Sequence, residues 1–365
     1  TPDQYIHACY SDLPSLFGER GMDDNTWPYA SDTNAVEYPV LTGLVMYATS
    51  FVAHTPASYF NFNALLLAFL FIFIIFIVRK IKPEFTYLVP VAPAMIASLY
   101  INWDLWAIAT MMLAIYWFDR KAYLYSALAM GISISTKFLP IFLLFPIVFI
   151  LWRHNRIQEL VKYLATTVGI WVAINLPFLL TTPTGWWRFY KLNLERGADW
   201  GSIWLALSQL GLGLTNLNYL SILLLLIGLT AITIFLFEIK STPTLASVAF
   251  IVLATVMIAG KVYSPQYVLW LTPLAIIALT SARDLPAFWI WQSGEIIYHI
   301  AVWQHIALVT GANFGLAAGG YAALTLLRIA TTLYLIGTLM KRVLEARNPQ
   351  GSAFDLLFEA SKAYP

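Results

Sequence analysis

The chain has 365 residues, of which 60% are hydrophobic, 16% aromatic and only 11% charged, and its mean hydropathy is +0.72. A soluble domain carries roughly 25% charged residues, so a soluble globular protein is excluded and an all-α polytopic membrane helix bundle is expected. The net charge of +2 carries no signal for nucleic acid, which is not expected as a partner, and a single cysteine, Cys9, excludes an internal disulfide or a cysteine metal site.

Residues 1–38 form the only long polar segment. They hold seven carboxylates (Asp3, Asp12, Glu19, Asp23, Asp24, Asp32 and Glu37) against one cation, Arg20, with turn formers at Pro14, Gly18, Gly21 and Pro28. Residues 39–54 are apolar but short for a span and end at His54 to Pro56, which reads as an interfacial helix. Spanning a bilayer takes about 20 apolar residues, and Lys/Arg bias orients the spans. The first clear span is 60–78, and the basic run RKIKPE at 79–84 marks the cytoplasm, which places the acidic loop 1–38 outside.

The remaining runs alternate from there. Residues 87–101 lead outward to an Asn102-Trp103-Asp104 turn, and 105–118 return to DRK. Residues 122–136 and 138–152 make a hairpin with Lys137 at its outer turn, and 163–180 exit into a long outer loop, 181–216. The runs 217–237, 244–260, 266–280, 285–305 and 316–340 complete about eleven spans within a bundle over 39–342, and 343–365 form a cytoplasmic tail. Fourteen of the 21 Lys and Arg fall on the cytoplasmic side of this map, as a multi-pass protein of the cell membrane requires.

The seven cations that break the rule are Arg20, Lys137, Arg188, Lys191, Arg196, Lys261 and Arg328. Arg188 and Lys191 read as interfacial side chains that reach for water. Lys137, Lys261 and Arg196 are either interfacial anchors or site residues. Arg328, near mid-membrane in LTLLRIATT, is either functional or a structural partner of Glu295. Among the acids, Asp12 lies in a compact CYSDLP, Glu37 in EYPVLTG, and Asp104 at an outer turn. Glu295 and His299, spaced i, i+4, share one helix face, either as a structural pair or in a site. The scattered histidines give no metal-ligand spacing.

The order of these motifs resembles the GT-C superfamily of polyprenyl-phosphate-sugar-dependent glycosyltransferases, and within it glycosyltransferase family 87, the actinobacterial mannosyltransferases and arabinofuranosyltransferases. The resemblance rests on an acidic outer loop, E-Y-P before a short helix, an N-W-D turn, T-K-F-L-P, W-W-R-F-Y with D-W-G-S-I-W, and K-V-Y-S-P-Q-Y. It implies a membrane enzyme with an extracytoplasmic active site and a further helix ahead of the acidic loop. Its donor would be a polyprenyl-phosphate sugar, its acceptor a lipid-linked or cell-wall glycan, and its surroundings membrane lipid. On this reading Asp12 is the catalytic base. Glu37, Asp104, Glu295 and His299 orient the acceptor, and Arg196, Lys137, Lys261 and Arg20 bind the donor phosphate. No cofactor is expected, with a divalent ion left open. The rival readings are a polytopic secondary transporter or lipid-linked sugar flippase, whose coupling residues would be Arg328, Glu295 and His299, and a non-catalytic assembly partner of the same fold.

Overall fold

The computed structural model describes residues 2–31, 35–239 and 242–345; Asp32 and the tail from 346 onward lie outside the described residues. The described residues are helical throughout, with no strand. In chain order the helices are α1 (Asp3–Ile6), α2 (Asp12–Glu19), α3 (Val40–Ser50), α4 (Pro56–Ile81), α5 (Pro93–Ser98), α6 (Asp104–Asp119), α7 (Tyr123–Thr136) and α8 (Leu144–Arg153). They continue with α9 (Ile157–Thr181), α10 (Pro183–Glu195), α11 (Ile203–Gln209), α12 (Leu217–Glu238), α13 (Leu245–Ala259), α14 (Val268–Ala278), α15 (Leu285–Val309) and α16 (Ala318–Glu345).

Four of these, α4, α9, α12 and α16, are long and apolar enough to cross a bilayer by themselves. The start of α4 shows why the chain is helical there. Thr55 and Ser58 form a capping box, Pro56 occupies the first turn, and Arg79 and Lys80 close the last. Its 26 residues extend about 39 Å at 1.5 Å per residue. Helices α9 and α12 turn apolar faces outward, with side chains such as Val168, Leu180, Leu223 and Ile234 exposed, as lipid contact demands. These features define a multi-pass membrane protein.

The interior helices are shorter. Helix α6 has 16 residues and is enclosed between α4 and α7. The expected span at 87–101 is not one helix. It is a 3₁₀ segment, Pro83–Val91, followed by the six-residue α5, because Pro90 and Pro93 each remove a backbone donor and clash with the preceding turn. The segments expected as outer loops also contain helices: α1 and α2 lie within 1–38, and α10 and α11 within 181–216.

The turns assigned to opposite sides of the membrane occupy opposite ends of the bundle. At one end Arg342 Nε lies 2.5 Å from Asp284 Oδ1, Arg120 reaches the Lys80 carbonyl, and Arg153 donates to the carbonyls of Leu236 and Ile239. Hydrogen bonds from Thr280 and Ser281 and the contact with Arg342 hold the Asp284 carboxyl below its ordinary range, against the opposing effect of burial. At the other end α1, α2, the 102–104 turn, Lys137, α10, the 196–202 loop and the 261–267 segment surround one cavity.

Candidate active site

The cavity has a volume of about 960 Å³. Its organising residue is Asp12, the first residue of α2. Ser11 caps that helix by accepting the Leu13 N–H, while its hydroxyl donates to the Tyr100 carbonyl at 2.6 Å. The Asp12 N–H donates to the Ile101 carbonyl at 2.7 Å. The first acidic helix is thereby fastened to the turn carrying Asn102, Trp103 and Asp104, two parts of the chain about ninety residues apart.

The two oxygens of Asp12 have different neighbours. Tyr10 Oη donates to Oδ1 at 2.8 Å, and Tyr38 Oη donates to Oδ2 at 3.1 Å. Burial pushes the Asp12 carboxyl above its ordinary range; the tyrosine hydroxyls, and more distantly Lys137, act in the opposite direction. Burial and the neighbouring carboxylate likewise raise Tyr10 and Tyr38, which stay protonated donors at neutral pH.

Lys137 stands beside this pair. Its Nζ is 2.6 Å from Asp104 Oδ1 and 4.3 Å from the centre of the Tyr38 ring. Asp104 is fully buried behind the cavity wall, where its Oδ2 accepts the Trp270 indole N–H at 2.8 Å and its own N–H is tied to Asn102 Oδ1. Lys137 adopts an extended backbone between α7 and the 3₁₀ turn that begins beside Pro140, which brings its side chain to the cavity. Glu37 Oε1 receives two arginines, Arg20 Nη2 at 2.8 Å and Arg188 Nη2 at 2.9 Å. Arg196, just past the end of α10, pairs with Asp199 at 3.4 Å.

Two groups of interactions set the walls. The 196–202 loop pairs with the 261–267 segment through Asp199 N–H to Lys261 O and Tyr263 N–H to Trp200 O. Gly201 permits this approach: it has φ +75°, and a Cβ there would lie 2.0 Å from the Tyr263 carbonyl oxygen. Lys261 Nζ donates to the carbonyls of Leu194 and Arg196 and to Asn218 Oδ1, so it closes the C-terminal end of α10. Behind the segment, Arg328 pairs with Glu295 at 2.8 Å, donates to the carbonyls of Tyr263 and Ser264, and lies between the rings of Tyr263 and Tyr298.

The structure therefore brings Asp12, Glu37, Lys137, Arg196 and Arg20 to one cavity. Asp104 supports Lys137 from behind. Lys261, Glu295 and His299 do not line the cavity: Lys261 braces α10, and Glu295 is the partner of Arg328. His299 Nε2 accepts from Trp303 Nε1 at 3.1 Å, which leaves the ring proton on Nδ1, 3.3 Å from Ser98 Oγ. Arg188, expected at the interface, shares Glu37 with Arg20. The sequence reading did not single out Tyr5, Tyr10, Tyr38, Asp199 or Trp303. Tyr10 and Tyr38 sit two residues before Asp12 and one after Glu37, a proximity that carried a signal; Trp303 had none. Among the described residues no three His, Cys, Asp or Glu side chains group as a metal-ligand set.

The class defined at this point is a helical membrane protein with a polar, cation-bearing cavity at one end of the bundle. No family model matches the sequence, and no curated protein is similar to it. Among solved structures, ArnT from Cupriavidus metallidurans bound to undecaprenyl phosphate is similar over 92% of this chain and 73% of that one, at 13% identity and a TM-score of 0.48.

Proposed function

We propose that the protein is a GT-C-type glycosyltransferase that moves mannose or arabinofuranose from a polyprenyl-phosphate donor to a glycan or glycolipid acceptor of the cell envelope. The reaction takes place on the extracytoplasmic face of the cell membrane, and the motif order resembles that of glycosyltransferase family 87. One observation carries the reading: a carboxylate held by two neutral hydroxyls, Asp12, shares a cavity with Lys137, Arg20 and Arg196.

Asp12 takes the proton of an acceptor hydroxyl as that oxygen attacks the anomeric carbon. The new glycosidic C–O bond forms while the bond from the anomeric carbon to the phosphate oxygen breaks, and its electron pair leaves with the polyprenyl phosphate. Attack opposite the leaving group inverts the anomeric centre. A positioned base contributes about 10²- to 10⁴-fold. The departing phosphate needs no general acid, but it does need positive charge already in place. Lys137 offers a point charge, and Arg20 and Arg196 offer planar forks suited to phosphate oxygens. A coupled transporter would instead need Arg328 and Glu295 along a path, whereas they are fully buried against each other.

The test is transfer by the protein in liposomes supplied with polyprenyl-phosphate-mannose or polyprenyl-phosphate-arabinose and a lipid-linked glycan acceptor. Transfer is expected with one of these donors, and Asp12→Asn should reduce it about 10²- to 10⁴-fold. Undiminished turnover by Asp12→Asn would remove the base from the mechanism.

A further inference from the structure

The cavity divides at Asp12 into two halves of different chemistry. On the Oδ2 side lie Tyr38 and, against its ring, Lys137. On the Oδ1 side lies Tyr10, which belongs to a cluster of three rings. Tyr5 and Tyr10 stack with centres 5.5 Å apart, Tyr5 and Trp303 at 6.1 Å, and Tyr10 and Trp303 at 5.4 Å. All three line the cavity, and their lining neighbours Ile101, Val302 and Ile306 are apolar.

These rings are held independently of one another. Trp303 has its one polar atom committed to His299, and His299 in turn to Ser98. Gln304 donates to the Ile6 carbonyl and so ties α1, with Tyr5, to α15. Tyr10 is fixed by its hydrogen bond to Asp12. Tyr5 Oη has no hydrogen-bond partner among the described residues, and the side chain is half-buried and lines the cavity, so its hydroxyl and its exposed part remain available to a ligand.

We propose that Tyr5, Tyr10 and Trp303 form the acceptor subsite, a platform that takes the apolar face of an uncharged sugar ring and sets its hydroxyl against Asp12 Oδ1. The assignment rests on the glycosyltransferase reading for which half is which. In an inverting displacement the attacking hydroxyl and the leaving phosphate lie on opposite sides of the anomeric carbon, so the acceptor belongs in the half without cations. The C–H groups on one face of a pyranose or furanose carry slight positive charge and match the negative faces of aromatic rings. The absence of a cation among the three rings and their three apolar neighbours disfavours a uronic acid or sugar phosphate there and selects a neutral sugar.

The experiment uses the full protein in detergent, with a synthetic alkyl glycoside of a mannose disaccharide and one of an arabinofuranose disaccharide as probes. Tyr5 is chosen because it is half-buried in the short α1, outside the bundle interior, and a melting curve checks that its replacement leaves the fold intact. Calorimetric binding of one disaccharide is expected for the wild type, weakened about tenfold by Tyr5→Ala and retained by Tyr5→Phe. A glucuronic-acid-terminated glycoside is expected to bind more weakly than the neutral probes. In the transfer assay Tyr5→Ala should raise the acceptor KM about tenfold relative to the donor KM. The proposal is overturned if the wild type binds neither neutral disaccharide, if Tyr5→Ala binds as tightly as wild type, or if the donor KM rises as much as the acceptor KM. Tyr5-dependent sugar binding without transfer from any donor would refute the proposed function and leave the sugar subsite standing. Transfer without Tyr5 dependence would do the reverse.

Discussion

Replacing Tyr38 by Phe removes one hydroxyl and leaves the ring that faces Lys137. That hydroxyl donates to Asp12 Oδ2 at 3.1 Å, and a hydrogen bond to a charged group contributes about 1.5–3 kcal/mol. The bond is made to the ionised carboxylate, so its loss disfavours that form. Burial already holds the Asp12 pKa above the ordinary carboxylate range while the tyrosines pull it down, and Tyr38→Phe therefore raises it further. A base works only when ionised, so kcat/KM falls as the pH drops through this pKa, and the variant's fall begins at higher pH. Well below the limb the ionised fraction is reduced by a factor of roughly 10 to 150, taking 1.4 kcal/mol per tenfold. On the alkaline plateau Asp12 is ionised in both proteins, and the difference shrinks. The measurement is kcat/KM for sugar transfer in liposomes across the acid limb, for wild type and Tyr38→Phe in parallel. A limb that stays in place, or moves to lower pH, would refute the claim that Tyr38 stabilises the charged base.

Other consequences follow from the remaining charges. Glu295→Gln leaves the Arg328 guanidinium buried without its counter-ion, and it should lower stability by about 3–5 kcal/mol; adding Arg328→Met should recover part of this in chemical-denaturation curves. Glu37→Gln releases a charge shared by Arg20 and Arg188, so the donor KM should fall at low ionic strength and the advantage should fade as salt screens it. Lys261→Met removes a cation from the C-terminal end of α10, where such charges contribute about 0.3–1 kcal/mol. Denaturation curves should show a stability loss of about that size, with the acid limb of kcat/KM unchanged; a shifted limb would show that Lys261 acts on Asp12 and does more than brace α10.

The fold was legible in the sequence to the extent that hydrophobic length and charge alternation decide it. The runs at 60–78 and 217–237 became α4 and α12 almost unchanged, because uninterrupted apolar stretches leave a membrane helix no alternative. The run at 87–101 is also apolar but contains Pro90 and Pro93, and there local backbone chemistry overrode it. The 181–216 segment was read as a loop because Trp, Arg and Lys lower its hydropathy; α10 forms regardless, with Pro183 in its first turn. Breaking the positive-inside rule singled out Lys137, Arg196, Lys261 and Arg328 together, but it could not separate site from scaffold. That distinction depends on partners. Arg328 and Lys261 are surrounded by carbonyl oxygens contributed by distant segments, which sequence spacing does not encode.

The pairing of charges at the cavity gives a reason for choosing one carboxylate over the others. Glu37 is held by two arginines, Asp199 by Arg196, and Asp104 by Lys137. Each of these carboxylates is committed to a cation, which leaves its oxygens less free to meet an acceptor hydroxyl. Glu19 is exposed at the rim and its carboxylate has no partner among the described residues. Asp12 is held by two neutral donors and no cation within ion-pair distance, and burial raises its affinity for a proton. A base must be ionised before the reaction and free to take a proton during it, and Asp12, held by neutral donors alone, has surroundings suited to that role in the proposed transfer. The acidic residues of the first loop thus divide by partner: one is left to neutral hydroxyls, and Glu37 holds two arginines at the cavity. A cavity whose cations are set by paired carboxylates, and whose base is set apart from them, can hold an anionic leaving group without quenching the group that activates the nucleophile.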